Sequence, residues 1–236
     1  MKLQRIGSVM KQPSRSTENL AYHLKKYSSV VVLDGLDGWN GMCFTLKGHD
    51  VTIYESNPIF IHGGNINVEN KCHKIYGLEK RIECYKVEDV VRYEEKNFYE
   101  NVPSKKFDLV YANRTLNREC NSHISIQEKI NSLISVVKEG GEIYLHYLMA
   151  VDEDDTEKYP VNLYPRVGEV PKFFSNDDWE IILLKERYNV RPEKGHFGNS
   201  ELHYHKYGYV HARKCSRDKR LCDIEYKYHY NISIGK

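Results

Sequence analysis

An α/β fold with a mostly parallel sheet is predicted from two features of the chain. Apolar, β-branched segments such as Val30–Leu33 alternate with helical segments, which is typical of parallel strands joined by helices. Toward the C-terminus, strand-like segments follow one another directly, which favours antiparallel pairing at one edge. We therefore expect one sheet with helices on its flanks.

Composition narrows the class of protein. The 236 residues include 35 Lys+Arg and 33 Asp+Glu, and a net charge of +2 excludes a polybasic nucleic-acid clamp. The apolar runs Val30–Leu33 and Ile181–Leu184 have four residues each, whereas a membrane span needs roughly 20. The N-terminus lacks the apolar region of a secretory signal. We expect a cytoplasmic protein without a membrane partner.

The first half of the chain predicts a βαβ unit. Asp34-Gly35 closes the first strand, and Glu55, 21 residues after Asp34, closes the second. The spacing leaves room for one short helix between them. The predicted elements are a helix beginning at Ser16 or Thr17, the strand Val30–Leu33, a helix over 42–46 closed by Gly48, and the strand Val51–Tyr54.

The second half predicts further strands and one long helix. Its apolar residues at 126, 130, 133, 134 and 137 recur with helical spacing. An acidic, proline-containing loop, Asp152–Pro171, is long enough to be a lid. The predicted elements are a broken helix within Pro58–Tyr76, the strands Ile82–Val87 and Phe107–Ala112, the helix Ile124–Val137, and the strands Ile143–Leu148, Glu180–Leu184 and Leu202–Arg213.

The glycine-containing loop after the first strand indicates a nucleoside ligand. Ligands of open α/β sheets lie beyond the carboxyl ends of the strands, where Glu55 would accept hydrogen bonds from ribose hydroxyls. A dinucleotide would place its pyrophosphate at the N-terminus of the following helix. Asp37 lies within the loop and would repel that pyrophosphate. A cationic nucleoside such as S-adenosylmethionine therefore fits better than NAD.

Four segments in this order resemble the class I S-adenosylmethionine-dependent methyltransferases. They are Val-Leu-Asp-Gly-Leu-Asp-Gly at the first strand, Val-Thr-Ile-Tyr-Glu-Ser-Asn at the second, Phe-Asp-Leu-Val-Tyr-Ala-Asn at the fourth, and Val-Lys-Glu-Gly-Gly-Glu-Ile-Tyr-Leu before the fifth. The region after the fifth strand is most similar to the tellurite-resistance methyltransferase group. The resemblance implies a Rossmann-like, mostly parallel seven-stranded sheet with an antiparallel edge strand.

The glycine loop departs from the pattern of that family, which is Asp-x-Gly-x-Gly-x-Gly. Only Gly38 falls on a matching glycine, because Leu36 and Asn40 occupy the other two positions. Gly35 and Gly41 lie one residue away from them and would compensate in a shifted loop.

The resemblance also implies a set of cofactor-binding residues. Glu55 would bind the ribose, Ser56 and Asn57 would lie near the adenine, Val87–Asp89 would close over it, and Asn113 would face the methyl group. The implied set is Asp34, Gly35, Leu36, Asp37, Gly38, Asn40, Glu55, Ser56, Asn57, Val87, Glu88, Asp89 and Asn113. Turn-forming or strand-end roles are the structural alternatives for the acids.

Methyl transfer from a sulfonium requires mainly positioning and a desolvated pocket. A base is needed only when the acceptor is a protonated amine or a hydroxyl, and the candidates are Asn113, Arg114 and His146. His146 alternates with Tyr144 along a strand, so a packed core histidine is the alternative. The segment after Asn113 lacks the Pro-Pro-aromatic sequence of adenine and glutamine methyltransferases, which disfavours those acceptors.

Two C-terminal clusters are further candidate sites. His203, His205 and His211 share one strand face, but no acid or cysteine completes a metal-ligand set, and the six cysteines form no C-x-x-C pair. We therefore predict no metal. The basic segment Arg213–Arg220, with Tyr226, Tyr228 and Tyr230 beyond it, could contact nucleic-acid phosphates, although a solvated edge is favoured.

The sequence thus predicts a polar arm over 1–16, a methyltransferase-like domain over 17–214 and an extension over 215–236 that could add a strand or contact a second copy of the chain. The leading hypothesis is a methyltransferase that uses S-adenosylmethionine and acts on a small molecule. One alternative is a catalytically degenerate binding or regulatory protein of the same fold. The other is an RNA or cap methyltransferase.

Overall fold

A computed structural model describes residues 15–68, 71–188 and 204–215. The described residues contain two sheets, one of seven strands and one of two, together with several helices. The helices are α1 (Arg15–His23), α2 (Trp39–Thr45), α3 (Pro58–His62), α4 (Leu78–Tyr85) and α5 (Ile126–Ser135). The strands are β1 (Ser29–Leu33), β2 (Asp50–Tyr54), β3 (Gly64–Val68), β4 (Lys71–Ile75), β5 (Val91–Glu94), β6 (Phe107–Asn113), β7 (Val137–Met149), β8 (Trp179–Tyr188) and β9 (Lys206–Lys214).

The large sheet has the strand order β5-β2-β1-β6-β7-β9-β8. Its first five strands run parallel, and β9 pairs antiparallel with both β7 and β8. The predicted fold class is therefore confirmed, with the antiparallel pairings at one side of the sheet. The carboxyl ends of β1, β2, β5 and β6 consequently meet along one edge.

The central strand β1 is buried on both faces, as its unbroken apolar sequence predicts. Val31 and Leu33 pack on the face that α5 covers, and Val30 and Val32 pack on the face that α1 and α2 cover. Helix α5 contributes Ile126, Ile130 and Leu133 at helical spacing, and begins with a capping box between Ser125 and Glu128.

Two predictions between Pro58 and Val87 were wrong. The segment Ile82–Val87, expected to be a strand, largely belongs to α4, because Leu78, Arg81, Ile82 and Tyr85 are buried at helical spacing. The strand that follows is β5. The expected broken helix ends after one turn at His62, where Gly63 adopts φ 86, and the chain continues as the antiparallel hairpin of β3 and β4.

The loop Asp152–Pro171 packs against the loop that follows β6. The ammonium of Lys129 donates to the carbonyls of Leu116 (3.0 Å) and Asn162 (2.6 Å). The Asn117 amide donates to the carbonyls of Leu148 (2.9 Å) and Leu163 (2.6 Å). Burial lowers the pKa of Lys129 to about 8. These bonds hold three segments together beyond the carboxyl edge of the sheet, and a lid role for the loop stays a prediction.

Two other predicted strands are longer in the structure, and some predicted segments lie outside the described residues. Strands β7 and β8 run beyond Ile143–Leu148 and Glu180–Leu184, while Leu202 lies outside the described part before β9. The predicted arm and extension are described only at residues 15–16 and 215. Within the described ranges, every helix is too short or too polar to cross a membrane.

The pairing of Gly208 with Tyr147 across β7 and β9 provides a test of the sheet packing. The Tyr147 ring is buried and lies over Gly208, so that a β-carbon at position 208 would overlap the ring. We expect Gly208→Ala to lower the free energy of unfolding by about 1–3 kcal/mol in urea denaturation. In a Tyr147→Ala background the same substitution should cost far less. Equal costs in both backgrounds would contradict this packing.

Candidate functional site

The loop from Asp34 to Gly38 turns sharply at the carboxyl end of β1. Asp34 (φ 48) and Leu36 (φ 51) both adopt the left-handed conformation, which costs non-glycine residues roughly 1–2 kcal/mol each. Gly35 lies against β2, where a β-carbon would come within 2.7 Å of the Ile53 side chain. Gly38 (φ 79) precedes α2 directly. Strain of this kind concentrates at ligand-binding loops.

The Glu55 carboxylate joins the loops that follow β1 and β2. One oxygen accepts the Leu36 backbone N–H (2.8 Å), and the other accepts the Asn57 backbone N–H (3.0 Å). Only 2% of Glu55 is exposed, and burial raises the pKa of its carboxyl group, although Arg118 and the two backbone bonds oppose the shift. Two of its roughly four acceptor positions are therefore occupied.

A guanidinium lies between the two strand-end carboxylates. Nε of Arg118 is 3.7 Å from Asp34 Oδ1, and Nη2 is 3.7 Å from Glu55 Oε2. Both contacts are too long for hydrogen bonds. The Thr115 hydroxyl donates to Asp34, and burial raises the pKa of Asp34 despite Arg118 and this bond. The crevice between Asp34 and Glu55 thus holds a protein cation in this structure.

Asp37 and Asn40 point into the fold. Asp37 is fully buried, with its carboxylate 2.9 Å from the Arg81 guanidinium and its carbonyl 2.7 Å from Arg81 Nε. Its charge is therefore balanced within the protein, contrary to the expectation that it faces a cationic ligand. The Asn40 side chain contacts the Thr17 hydroxyl (3.4 Å) beneath α1.

The adenine-proximal residues need one correction. Val87, Glu88 and Asp89 precede β5, so they lie at the amino-terminal edge of the sheet, opposite Asp34 and Glu55. The segment at the carboxyl end of β5 is Glu95–Asn97, which the sequence prediction misses because it assigns the third strand to Ile82–Val87. Its signal was the alternation of Val91 and Tyr93 with polar residues, followed by acids. Ser56 and Asn57 do follow β2 at the expected edge, with Asn57 capping α3.

Asn113 and His146 meet across neighbouring strands. Asn113 Oδ1 lies 2.8 Å from His146 Nδ1, and the two residues are in register between β6 and β7. An amide oxygen can only accept, so Nδ1 carries the proton and Nε2 carries the lone pair. Nε2 is buried and has no hydrogen-bond partner in the part of the chain that the structure describes.

His146 is held as a neutral imidazole by its surroundings. Its ring stacks on Tyr209 with centroids 4.5 Å apart and planes 5° apart. The guanidinium of Arg114 lies 6.0 Å from the Tyr207 ring, and that of Arg187 lies 6.0 Å from the Tyr209 ring. Burial, followed by these two arginines, lowers the pKa of His146 to about 3. The Arg114 backbone N–H also donates to the His146 carbonyl (2.6 Å).

The two C-terminal clusters lie only partly within the described residues. His211 is bonded to Glu142 (2.8 Å), and His203 lies outside the described residues. Among the described residues, no group of three His, Cys, Asp or Glu side chains could hold a metal ion. Arg213 is paired with Glu142 and Glu180, and the rest of the basic segment from 216 onward is outside the described ranges.

Comparison with known proteins identifies the fold. Neither a protein-family model nor a curated protein sequence matches the chain. TehB from Haemophilus influenzae superposes with a TM-score of 0.61 at 18% identity over 84% of this chain, which spans 61% of TehB. A Burkholderia thailandensis 1,6-didemethyltoxoflavin-N1-methyltransferase with bound S-adenosylhomocysteine has a TM-score of 0.52 at 12% identity over 86% of this chain and 78% of its own. This is the class I methyltransferase fold.

The same fold is found in a protein that the match covers over its whole length. The YcgJ protein from Bacillus subtilis has a TM-score of 0.58 at 10% identity, and the match covers 86% of this chain and all of that protein (100%). The presence of TehB, a tellurite-resistance protein, among these structures agrees with the resemblance found in the sequence.

The buried pair of Asp37 and Arg81 allows a test of what positions the glycine-containing loop. Arg81→Met or Asp37→Asn alone leaves a buried charge without its partner, so each should lower the free energy of unfolding by about 3–5 kcal/mol. The double variant should cost clearly less than the sum of the two, as measured by urea denaturation. Costs that add within about 0.5 kcal/mol would show that the pair does not couple.

The depressed pKa of His146 predicts a pH-dependent stability. In the unfolded chain His146 is protonated below its ordinary pKa of 6.5, whereas in the folded chain it is protonated only near pH 3. The free energy of unfolding is therefore highest above pH 6.5 and decreases as the pH falls toward 3. Relative to His146→Phe, which keeps the ring stack but cannot titrate, the wild type should lose about 2 kcal/mol between pH 7 and pH 5. Tyr209→Phe is the control that should follow the wild-type slope. Parallel pH profiles for wild type and His146→Phe would refute the assignment.

Proposed function

We propose that this protein is an S-adenosylmethionine-dependent methyltransferase that acts on a small-molecule acceptor. The observation that carries the proposal is the carboxyl edge of the sheet: Asp34 and Glu55 follow β1 and β2, while Asn113 and His146 pair across the neighbouring strands β6 and β7. The solved methyltransferase with bound S-adenosylhomocysteine supports the choice of cofactor.

The residues at this edge suit an adenosyl cation. Each oxygen of Glu55 retains acceptor capacity after its backbone bond, which would serve the two ribose hydroxyls. With Arg118 set against Asp34 and Glu55, the crevice keeps a net charge of about −1. Asp34, Gly35, Leu36 and Gly38 would line the methionine part, and Ser56 and Asn57 would lie near the adenine. The cofactor supplies the transferable methyl group.

Arg118 must leave the crevice for a ligand to reach Glu55. Its guanidinium is held at 3.7 Å from each carboxylate without a hydrogen bond, and about a third of its side chain (32%) is exposed. The side chains of Asp34 and Glu55 are only 13% and 2% exposed, so these carboxylates need a counter-charge. A bound cation would supply that charge in place of the guanidinium, and the arginine would move into solvent.

His146 and Asn113 would act on the acceptor. Because the leaving group in methyl transfer is a neutral thioether, only the acceptor has a proton to lose. Nε2 of His146 would accept a hydrogen bond from the acceptor hydroxyl or amine, and Asn113 would hold the ring in the required tautomer. Because its pKa is about 3, His146 would orient the acceptor through this hydrogen bond without taking up the proton, which the methylated product would release to solvent. Arg114, bonded to the His146 carbonyl, would keep the strand end in place.

A degenerate binding protein of the same fold is a second candidate. It is favoured by two observations: the Arg118 side chain lies between the carboxylates, and Leu36 stands where the family pattern has glycine. A half-buried leucine side chain in this loop would narrow the approach of a ligand to the backbone.

Titration calorimetry with S-adenosylmethionine and S-adenosylhomocysteine tests the proposal. We expect binding of both, and a loss of about 10-fold to 100-fold in affinity for Glu55→Ala, because hydrogen bonds to a charged carboxylate are removed. Arg118→Met should bind more tightly than the wild type, since it removes the competing cation.

The matched control is Asp50→Ala. Asp50 begins β2 at the opposite edge, where it pairs with Arg92, so its loss should leave affinity unchanged. Thermal unfolding of each variant separates a lost ligand contact from a lost fold. If neither ligand binds to the wild type or to Arg118→Met, the methyltransferase proposal fails and the degenerate binding protein is favoured.

A further inference from the structure

A cavity of about 500 Å³ opens on the sheet face beside α1. It is lined by Leu20, Tyr144, Leu183, Lys185, Arg187 and Tyr209, among others. Its volume lies within the range of about 300–1,000 Å³ that is typical of small-molecule sites. We propose that this cavity binds the methyl acceptor as an organic anion with an apolar or aromatic body. The identity of this ligand as the methyl acceptor rests on the proposed function, whereas its chemical class is inferred from the cavity itself.

The charges around the cavity favour an anion. Lys185 and Arg187 project from the same face of β8, and neither has an ion pair or hydrogen bond to any carboxylate in the described ranges. The nearby Glu142 is already bonded by His211 and Arg213. Glu186, between the two cations in sequence, bonds the Tyr147 hydroxyl and the Gly168 N–H on the other face. Two positive charges therefore remain for a ligand.

The remaining lining favours a body with little polarity. Leu20 comes from α1, Leu183 from β8 and Tyr209 from β9, which brings aliphatic and aromatic surface to different walls of the same cavity. A carboxylate, sulfonate or phosphate group on a flat apolar body would pair with the cations and bury its remainder against these side chains. A fully polar ligand would leave that surface without a partner.

The cavity leads toward the base candidate. Tyr209 lines the cavity and stacks on His146, and the Arg187 guanidinium approaches the same tyrosine ring at 6.0 Å. Along β8, Leu183 is opposite His211 and Arg187 is opposite Tyr207, so the cavity runs from the middle of the sheet toward its carboxyl edge. An acceptor anchored by Lys185 and Arg187 would thus lie beside the ring that we propose contacts its nucleophilic atom.

Calorimetry with 2-naphthoate and its neutral isostere 2-naphthamide tests the ligand class. We expect the full-length protein to bind 2-naphthoate at least about tenfold more tightly than 2-naphthamide, because a charged hydrogen-bond pair is made only by the acid. Lys185→Gln and Arg187→Gln should each weaken 2-naphthoate by about tenfold and leave 2-naphthamide unchanged. Lys172→Gln, an exposed lysine outside the cavity, is the control and should change neither.

Three outcomes would overturn the anion site. They are equal affinities for 2-naphthoate and 2-naphthamide, no binding of 2-naphthoate, and binding of 2-naphthoate that neither substitution weakens. Titration of S-adenosylhomocysteine into the same variants separates this outcome from failure of the proposed function. If charge-dependent 2-naphthoate binding is found but S-adenosylhomocysteine does not bind, the cavity is an anion site in a protein that is not a methyltransferase. If the converse is found, the transferase proposal stands and its acceptor lacks this charge.

Discussion

The buried Glu55 carboxylate is the contact on which the candidate site depends. It accepts the backbone N–H groups of Leu36 and Asn57, and thereby joins the loops that leave β1 and β2. A buried carboxylate is stable only when hydrogen bonds and a counter-charge compensate for lost hydration, and here the two backbone bonds and Arg118 provide both. The arrangement of the two loops around the crevice therefore follows from one side chain.

Charge is distributed differently from what the sequence alone suggests. Three acids lie in or near the glycine-containing loop and β2, but Asp37 is neutralised internally by Arg81. Asp34 and Glu55 share one partly exposed arginine. Selectivity for a cation would thus arise from two carboxylates and not three. On the sheet face beside α1 the balance is reversed, because Lys185 and Arg187 have no carboxylate partner among the described residues. Opposite charges thus mark the two compartments of the proposed site.

The sequence predicted the elements that its local pattern specifies. Strand β1 and its closing acid were predicted because an unbroken β-branched segment has few alternatives. Helix α4 was mistaken for a strand because a pattern over six residues fits both periods, and the burial of Leu78 and Arg81 before it decides for the helix. Thr115 and Arg118 could not be found in advance, since their contacts with Asp34 join residues 81 and 84 positions apart in the chain. Likewise, Tyr209 reaches His146 only through the antiparallel pairing of β7 and β9.

The bond from Thr115 to Asp34 has a consequence for kinetics. The turn that bears Thr115 and Arg118 begins at Arg114, whose backbone is bonded to His146. Under the proposed function, this turn connects the arginine that a bound nucleoside would displace with the strand end that bears the imidazole. A compulsory order of association, nucleoside before acceptor, is the scheme that such a connection favours.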